Sequence, residues 1–306
     1  MAAELPLDLD EVEVPDELSL VVGWKVGNRG NLEGGEVRTG APVKRHLAEA
    51  CERTLERIAE ATMVPYTADL RLERDECLAV VDSALVEASP LTPIVLPQEP
   101  LGVLGAPDLP RRSLLFSAVT ISTEQGDLAF VRKANPRPSA RGGKILALLG
   151  NVLKRIEEPV FALEESFDMI VMDGAVVSLH QGDFELLFWD ADLLQAAIPG
   201  WIDDVASHLP IEREGADRLK ELAITDGRVR KRLRAISERG HLANVSLDQV
   251  RSYVNNLGFD EKDFVANGEL IIDPSDPFKM LYVLNEDLFK GGLTATPFRS
   301  EGKRPG

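Results

Sequence analysis

The chain has 306 residues, of which 44% are hydrophobic and 28% charged, a balance that supports ordinary globular domains and gives room for two or three cores. A net charge of −17 excludes a protein that coats nucleic acid with its whole surface, because polyanions repel such a molecule. Met1 to Leu5 lack the positive flank and apolar run of a secretory signal, and no apolar stretch is long enough to cross a bilayer. The expected setting is therefore the cytoplasm, where Cys51 and Cys77 serve as buried small hydrophobes.

Residues 1–18 hold seven acids and no Lys or Arg, and read as a mobile acidic tail or solvated edge. Ser19–Val26 reads as a strand running into the glycine-rich stretch Gly27–Gly35. A phosphate-binding loop is rejected there, since no Gly-Lys-Ser/Thr and no immediate helix follow; a hairpin loop fits better. Val43–Met63 reads as a helix, with Leu47, Cys51, Leu55, Ile58 and Ala59 on one face. The six prolines between 89 and 113 predict an extended connector, which divides an N-terminal α+β unit (19–100) from a central one (101–200).

In the central unit, Leu115–Thr123 and Leu128–Lys133 read as antiparallel strands joined through Glu124-Gln125-Gly126-Asp127. Ile145, Leu148, Leu149, Val152 and Ile156 recur at helical spacing and predict an amphipathic helix over 143–158. Asp173-Gly174 between apolar runs marks a hairpin whose turn residues both take positive φ. Phe184–Trp189 reads as a further strand. From Asp190 the pattern is mainly helical, and Ser246-Leu247-Asp248-Gln249 is a capping box for a helix that Gly258 closes. The fold class predicted is α+β: an N-terminal α+β unit, a central antiparallel or mixed sheet with one packed helix, and a mainly helical region over 201–306 ending in a basic tail.

Two basic segments stand out against the acidic average. Arg132, Lys133, Arg137, Arg141 and Lys144 lie at a strand end and the loop beyond, where backbone amides at a helix start would help hold an anion. Gly227–Arg239 is the densest cationic run: Val229, Leu233 and Ile236 form a narrow apolar stripe, and Arg228, Arg230, Lys231, Arg232 and Arg234 surround it. A solvated face, a phosphate-facing surface and a grip on an acidic protein all fit this pattern. No aromatics interleave with these cations, which favours backbone contact over base stacking.

The search for catalysis yields no site. Asp168 and Glu185 are placed on strands, with Asp190 and Asp192 following, but no lysine sits two residues after any of them as a metal-dependent nuclease of the Asp…Glu-x-Lys type requires. His46, His180, His208 and His241 have no partner at ligand spacing, and no Ser or Cys nucleophile stands in a recognisable setting. Binding without catalysis, metal or cofactor is the expectation.

Three segments carry a family resemblance: Phe130-Val131-Arg132-Lys133-Ala134-Asn135-Pro136, Phe167–Gly174, and Asp183–Phe188, with a tail containing Asn285-Glu286-Asp287, Leu293-Thr294 and Lys303. Together they resemble the KwaB-like proteins of the bacterial Kiwa anti-phage system, formerly a domain-of-unknown-function family. Ala295 and Phe298 stand where that family tends to have glycine and tyrosine. The resemblance implies a cytoplasmic effector that pairs with itself, assembles with the small membrane-embedded protein KwaA, and binds DNA without sequence preference to obstruct phage replication and transcription. Lys303 and Arg304 join the two basic segments as expected DNA contacts, with Lys133 foremost. The other class of function open to the same cations is a protein-interaction module.

Overall fold

A computed structural model describes residues 5–26, 31–105, 114–134, 146–149, 152–155, 165–188, 191–273, 275–294 and 296–300. The fold is α+β, as predicted, and divides into two compact units: residues 1–65 with 72–190, and residues 66–71 with 191–306.

The first unit runs β1 (Ser19–Val26), β2 (Asn31–Val37), α1 (Ala41–Ala59), β3 (Thr62–Pro65), β4 (Glu76–Val81), α2 (Ser83–Ala88), α3 (Thr92–Val95), β5 (Val103–Leu104), β6 (Leu114–Thr123), β7 (Gly126–Lys133), β8 (Leu146–Leu149), β9 (Val152–Arg155), β10 (Met169–Met172), β11 (Ala175–Ser178) and α4 (Gln181–Phe188). Among the described residues a nine-stranded sheet has the order β3-β4-β11-β10-β7-β6-β1-β2-β5. Its interior pairs are antiparallel, and only the edge strands β3 and β5 pair in parallel. The ranges 19–100 and 101–200 thus contribute strands to a single sheet. Strands β4, β10 and β11 are buried on both faces, which is why they read as continuous apolar runs without alternation. Leu47, Ala50, Cys51 and Ile58 of α1 pack on Leu20, Val119, Leu128, Phe130, Ile170 and Val177. Both cysteines are free and buried; burial pushes the Cys51 thiol far up and the Cys77 thiol to about 11, which disfavours the thiolate at both.

Four expectations are corrected here. The acidic segment is docked: Leu5, Leu7, Leu9, Val12 and Val14 pack against the α1 core, and Leu9–Glu11 forms a short turn capped by Asp8. Apolar side chains interleaved with the acids supply the anchor that composition alone conceals. The helix expected over 143–158 is instead, in its described part, the antiparallel pair β8–β9 with Leu149 opposite Val152. Gly150-Asn151 between two short apolar runs is a two-residue hairpin signal, and it outranks a helical period read over so few turns. The stretch that would open that helix, beside Lys144, lies outside the described residues. Phe184–Trp189 is not a strand: Phe184, Leu187 and Phe188 are buried at i, i+3 and i+4 spacing on α4, with the two phenyl rings stacked at 5.1 Å. Finally, Val43–Met63 is split, because α1 ends at Ala59 and Met63 enters β3.

The second unit comprises α5 (Ala191–His208), α6 (Arg213–Thr225), α7 (Gly227–Arg239), α8 (Leu247–Leu257), β12 (Val265–Ala266), β13 (Glu269–Leu270), α9 (Pro277–Leu284), β14 (Leu288–Lys290) and β15 (Pro297–Arg299). The mainly helical character holds, and so does the Ser246–Gln249 capping box, with Gly258 left-handed at the far end of α8 (φ 91°). Its core gathers Ile198, Val205, Leu219, Val229, Leu233, Val254, Phe264 and Leu281.

Candidate functional site

The three apolar motifs that carry the family resemblance meet in the first unit. Lys133 ends β7, Asp168 precedes β10, and Asp183 lies in the first turn of α4. The backbone N–H of Lys133 donates to Asp168 Oδ2 at 3.0 Å, and its Nζ donates to Asp183 Oδ1 at 2.8 Å. Arg132 Nη1 donates to the Ser166 carbonyl and lies 3.8 Å from Asp168 Oδ1; His180 Nε2 is 3.9 Å from the same oxygen. Asp168 is only 5% exposed, and burial raises its pKa against the opposing pull of Arg132 and the Lys133 amide. Two cations face two carboxylates, so the cluster is internally neutralised. It knits a strand end, a strand start and a helix together. Arg137, Arg141 and Lys144 lie outside the described residues.

The second basic segment becomes α7. Its N-terminus is fixed by Asp226, whose carboxylate accepts the Arg228 backbone N–H at 2.8 Å and the Arg228 Nη2 at 2.8 Å; these bonds pull the Asp226 pKa down to about 2. Gly240 in the left-handed region (φ 57°) ends the helix. Val229, Leu233 and Ile236 are buried, as their spacing predicts. The cations between them have divided roles. Arg234 is 9% exposed, bonds Glu238 and lies 5.5 Å from the Tyr66 ring, so it is a core residue and no surface cation. Arg230 Nη1 donates to the Ala223 carbonyl at 3.1 Å and the Ile224 carbonyl at 3.3 Å, closing the last turn of α6. Arg232 Nε donates to the buried Asp287 at 3.1 Å, while Lys231 is half-buried. Arg228 remains 75% exposed.

Sequence reading missed what lies beneath these arginines. Phe278 and Tyr282, one turn apart on α9, stack at 5.9 Å and meet Arg228 and Arg232, one turn apart on α7. Arg228 sits 4.9 Å over Phe278, Arg232 sits 4.6 Å over Tyr282, and Arg299 from β15 covers Tyr282 at 5.0 Å while donating to its hydroxyl. The result is a row of three guanidinium groups packed over two rings. The i, i+4 spacings of each helix were visible, but nothing local brings residue 278 to residue 228.

Asn285-Glu286-Asp287, part of the tail motif, secures the same row. Glu286 takes positive φ (52°), Asn285 Nδ2 donates to Asp287 Oδ1 at 2.8 Å, and Asp287 holds Arg232. Arg239 reaches the Asn285 carbonyl and pairs with Asp69 at 3.5 Å. Lys303 and Arg304 lie outside the described residues. Among the described residues no group of three or more His, Cys, Asp or Glu side chains is placed to hold a metal ion, and no helix is long and apolar enough to cross a membrane. No family model, curated protein or solved structure matches this chain.

Proposed function

We propose that the chain is a KwaB-like anti-phage effector that grips the phosphate backbone of DNA without regard to sequence, acting with a membrane-embedded partner to obstruct phage replication and transcription. The observation that carries the binding half of this reading is the guanidinium row of Arg228, Arg232 and Arg299. Arginines pre-oriented on aromatic rings lose little side-chain entropy on meeting a phosphate, and their planar forks match its oxygens. Lys231 on α7 adds a fourth cation. Engaging two to four phosphates predicts a slope of log affinity against log salt between about −2 and −4.

The test is a mobility-shift series on two unrelated duplexes of equal length at rising salt, with and without Mg²⁺. Equal affinities that fall together with salt are expected, and Arg228→Glu with Arg299→Glu should weaken both duplexes alike. Binding that ignores salt, or no binding at all, sinks the proposal. Cleavage dependent on Mg²⁺ and removed by Asp168→Ala would replace it with a nuclease.

A second reading draws on the internal pairing of Arg230, Arg232 and Arg234: a basic strip so engaged in its own fold also suits a protein-interaction module that meets an acidic partner through Arg228 and Lys231. Under that reading, charge reversal at Arg228 abolishes partner capture and leaves DNA mobility unchanged.

A further inference from the structure

The β14–β15 hairpin pairs Leu288 with Arg299, Phe289 with Phe298 and Lys290 with Pro297. Alternation along each strand therefore puts Phe289 and Phe298 on one face of the ribbon and Leu288 on the other. Leu288 packs on the core of the second unit, and Tyr253 donates its hydroxyl hydrogen to the Leu288 carbonyl. The phenylalanine face is thus the outward one. Both rings are 47% exposed, and they stack with centroids 5.5 Å apart and planes at 22°. Gly291 leaves the space that the Phe298 ring occupies, since a Cβ there would come within 2.8 Å of Phe298 Cε2. Beyond the rings, Leu293 at the hairpin loop is fully exposed.

An outward phenylalanine pair is costly to leave in water, and here it is built into the fold by register and by a glycine. From Leu288 to Ser300 the sequence holds Lys290 and Arg299 and no acid, in a chain whose net charge is −17. Arg299 also belongs to the guanidinium row over Tyr282. The aromatic face and the proposed phosphate-binding row therefore share β15, on opposite faces of the ribbon.

We propose that this hairpin is a stacking platform for unpaired bases, so that the preferred ligand of the second unit is single-stranded nucleic acid. Phe289 and Phe298 take base faces, while the backbone passes the ribbon's edge to the exposed cations of its other face, Lys290 and Arg299, and to the α7 row. Aromatic faces beside cations bind any base, because every base has a π-face, and a paired base inside a duplex cannot reach them. The inference rests on the DNA-binding reading and deepens it.

The experiment is fluorescence anisotropy of the full chain with a labelled oligonucleotide, single-stranded and annealed to its complement. The wild type should bind the single strand about ten-fold or more tighter than the duplex, because base stacking on an aromatic side chain contributes about 1–3 kcal/mol per base. Phe289→Ala with Phe298→Ala should erase that preference while leaving duplex affinity and thermal stability unchanged; Phe298→Tyr should retain it. Equal affinity for both forms, or a single-strand preference that survives the double alanine change, overturns the platform and leaves the DNA-binding reading standing. Absence of binding to either form overturns both. Loss of self-association or of vesicle binding in the double variant, with the single-strand preference intact, also overturns the platform.

Discussion

Asp168 shows how a single buried carboxylate can be read in two ways, and how the two separate. Its oxygens accept the Lys133 backbone N–H and face Arg132, so deleting the buried carboxylate leaves the part-buried Lys133 amide without that acceptor and the part-buried Arg132 guanidinium without the charge that faces it. Asp168→Ala should therefore cost about 3 kcal/mol in chemical denaturation, the scale for breaking a buried pair from one side. Asp168→Asn keeps an acceptor and mimics the protonated acid. Burial raises the folded pKa above the ordinary 3.8, so folding disfavours the ionised form relative to the unfolded chain. The contribution of the protonated form is present below 3.8 and is lost as pH rises through the folded value, so at neutral pH the asparagine variant should match the wild type or exceed it. A neutral-pH loss as large as that of the alanine variant would show that the ionised form is required. Asp226 has the opposite sign. Its pKa is lowered to about 2 by the Arg228 bonds, so its stabilisation is present above 3.8 and lost as pH falls toward 2. Asp226→Ala should cost about 1 kcal/mol as a lost helix cap at neutral pH. Thermal melts of the two proteins should converge as pH falls from about 4 to about 2, the window that the lowered value sets.

At the scale of elements, glycines decide the packing of β1 and β2. A Cβ at Gly23 would lie 2.0 Å from the Phe116 ring, and one at Gly34 would lie 2.1 Å from Ile94 Cγ2. Gly23→Ala should destabilise the chain by about 2 kcal/mol through overpacking, whereas Gly40→Ala at the start of α1, whose Cβ would meet only Pro42 Cδ at 3.9 Å, should change it by less than about 1 kcal/mol. Equal midpoints in urea for the two variants would contradict the packing account. Gly34 and Gly35, read from sequence as loop, are strand residues, because close approach by a side chain and a loop turn leave the same mark. Other elements were more legible. Ser246 and Gly258 bracket α8 because capping chemistry is local. Asp173-Gly174 does join β10 to β11, but only Gly174 takes positive φ (71°), so the type I′ turn expected there is not formed. Asn267-Gly268, with φ of 53° and 83°, does form such a turn between β12 and β13, and its dipeptide was readable in a region taken as helical. What remained hidden was long-range: the Arg228–Phe278 and Lys133–Asp183 meetings join residues fifty apart, and no local pattern specifies them.

At the scale of the whole molecule, the charge of −17 sets a general repulsion against which any local phosphate grip must work. The arginine row acts over hydrogen-bonding distances, but the field of the excess carboxylates reaches as far as the Debye length, about 30 Å at 0.01 M salt and about 3 Å at 1 M. The two contributions therefore separate by ionic strength. Replacing Asp8, Asp10, Glu11 and Glu13 by their amides removes four negative charges and keeps the apolar anchors Leu7, Leu9 and Val12 in place. Asn at position 8 preserves the cap that Asp8 gives the Asp10 backbone N–H. If DNA is the ligand, this variant should bind a duplex several-fold tighter at about 0.01 M salt, and the gain should vanish well before 1 M. A gain that persists at high salt would mean that these acids meet the ligand or its site directly. No gain at low salt would mean that the acidic surface does not hold DNA away.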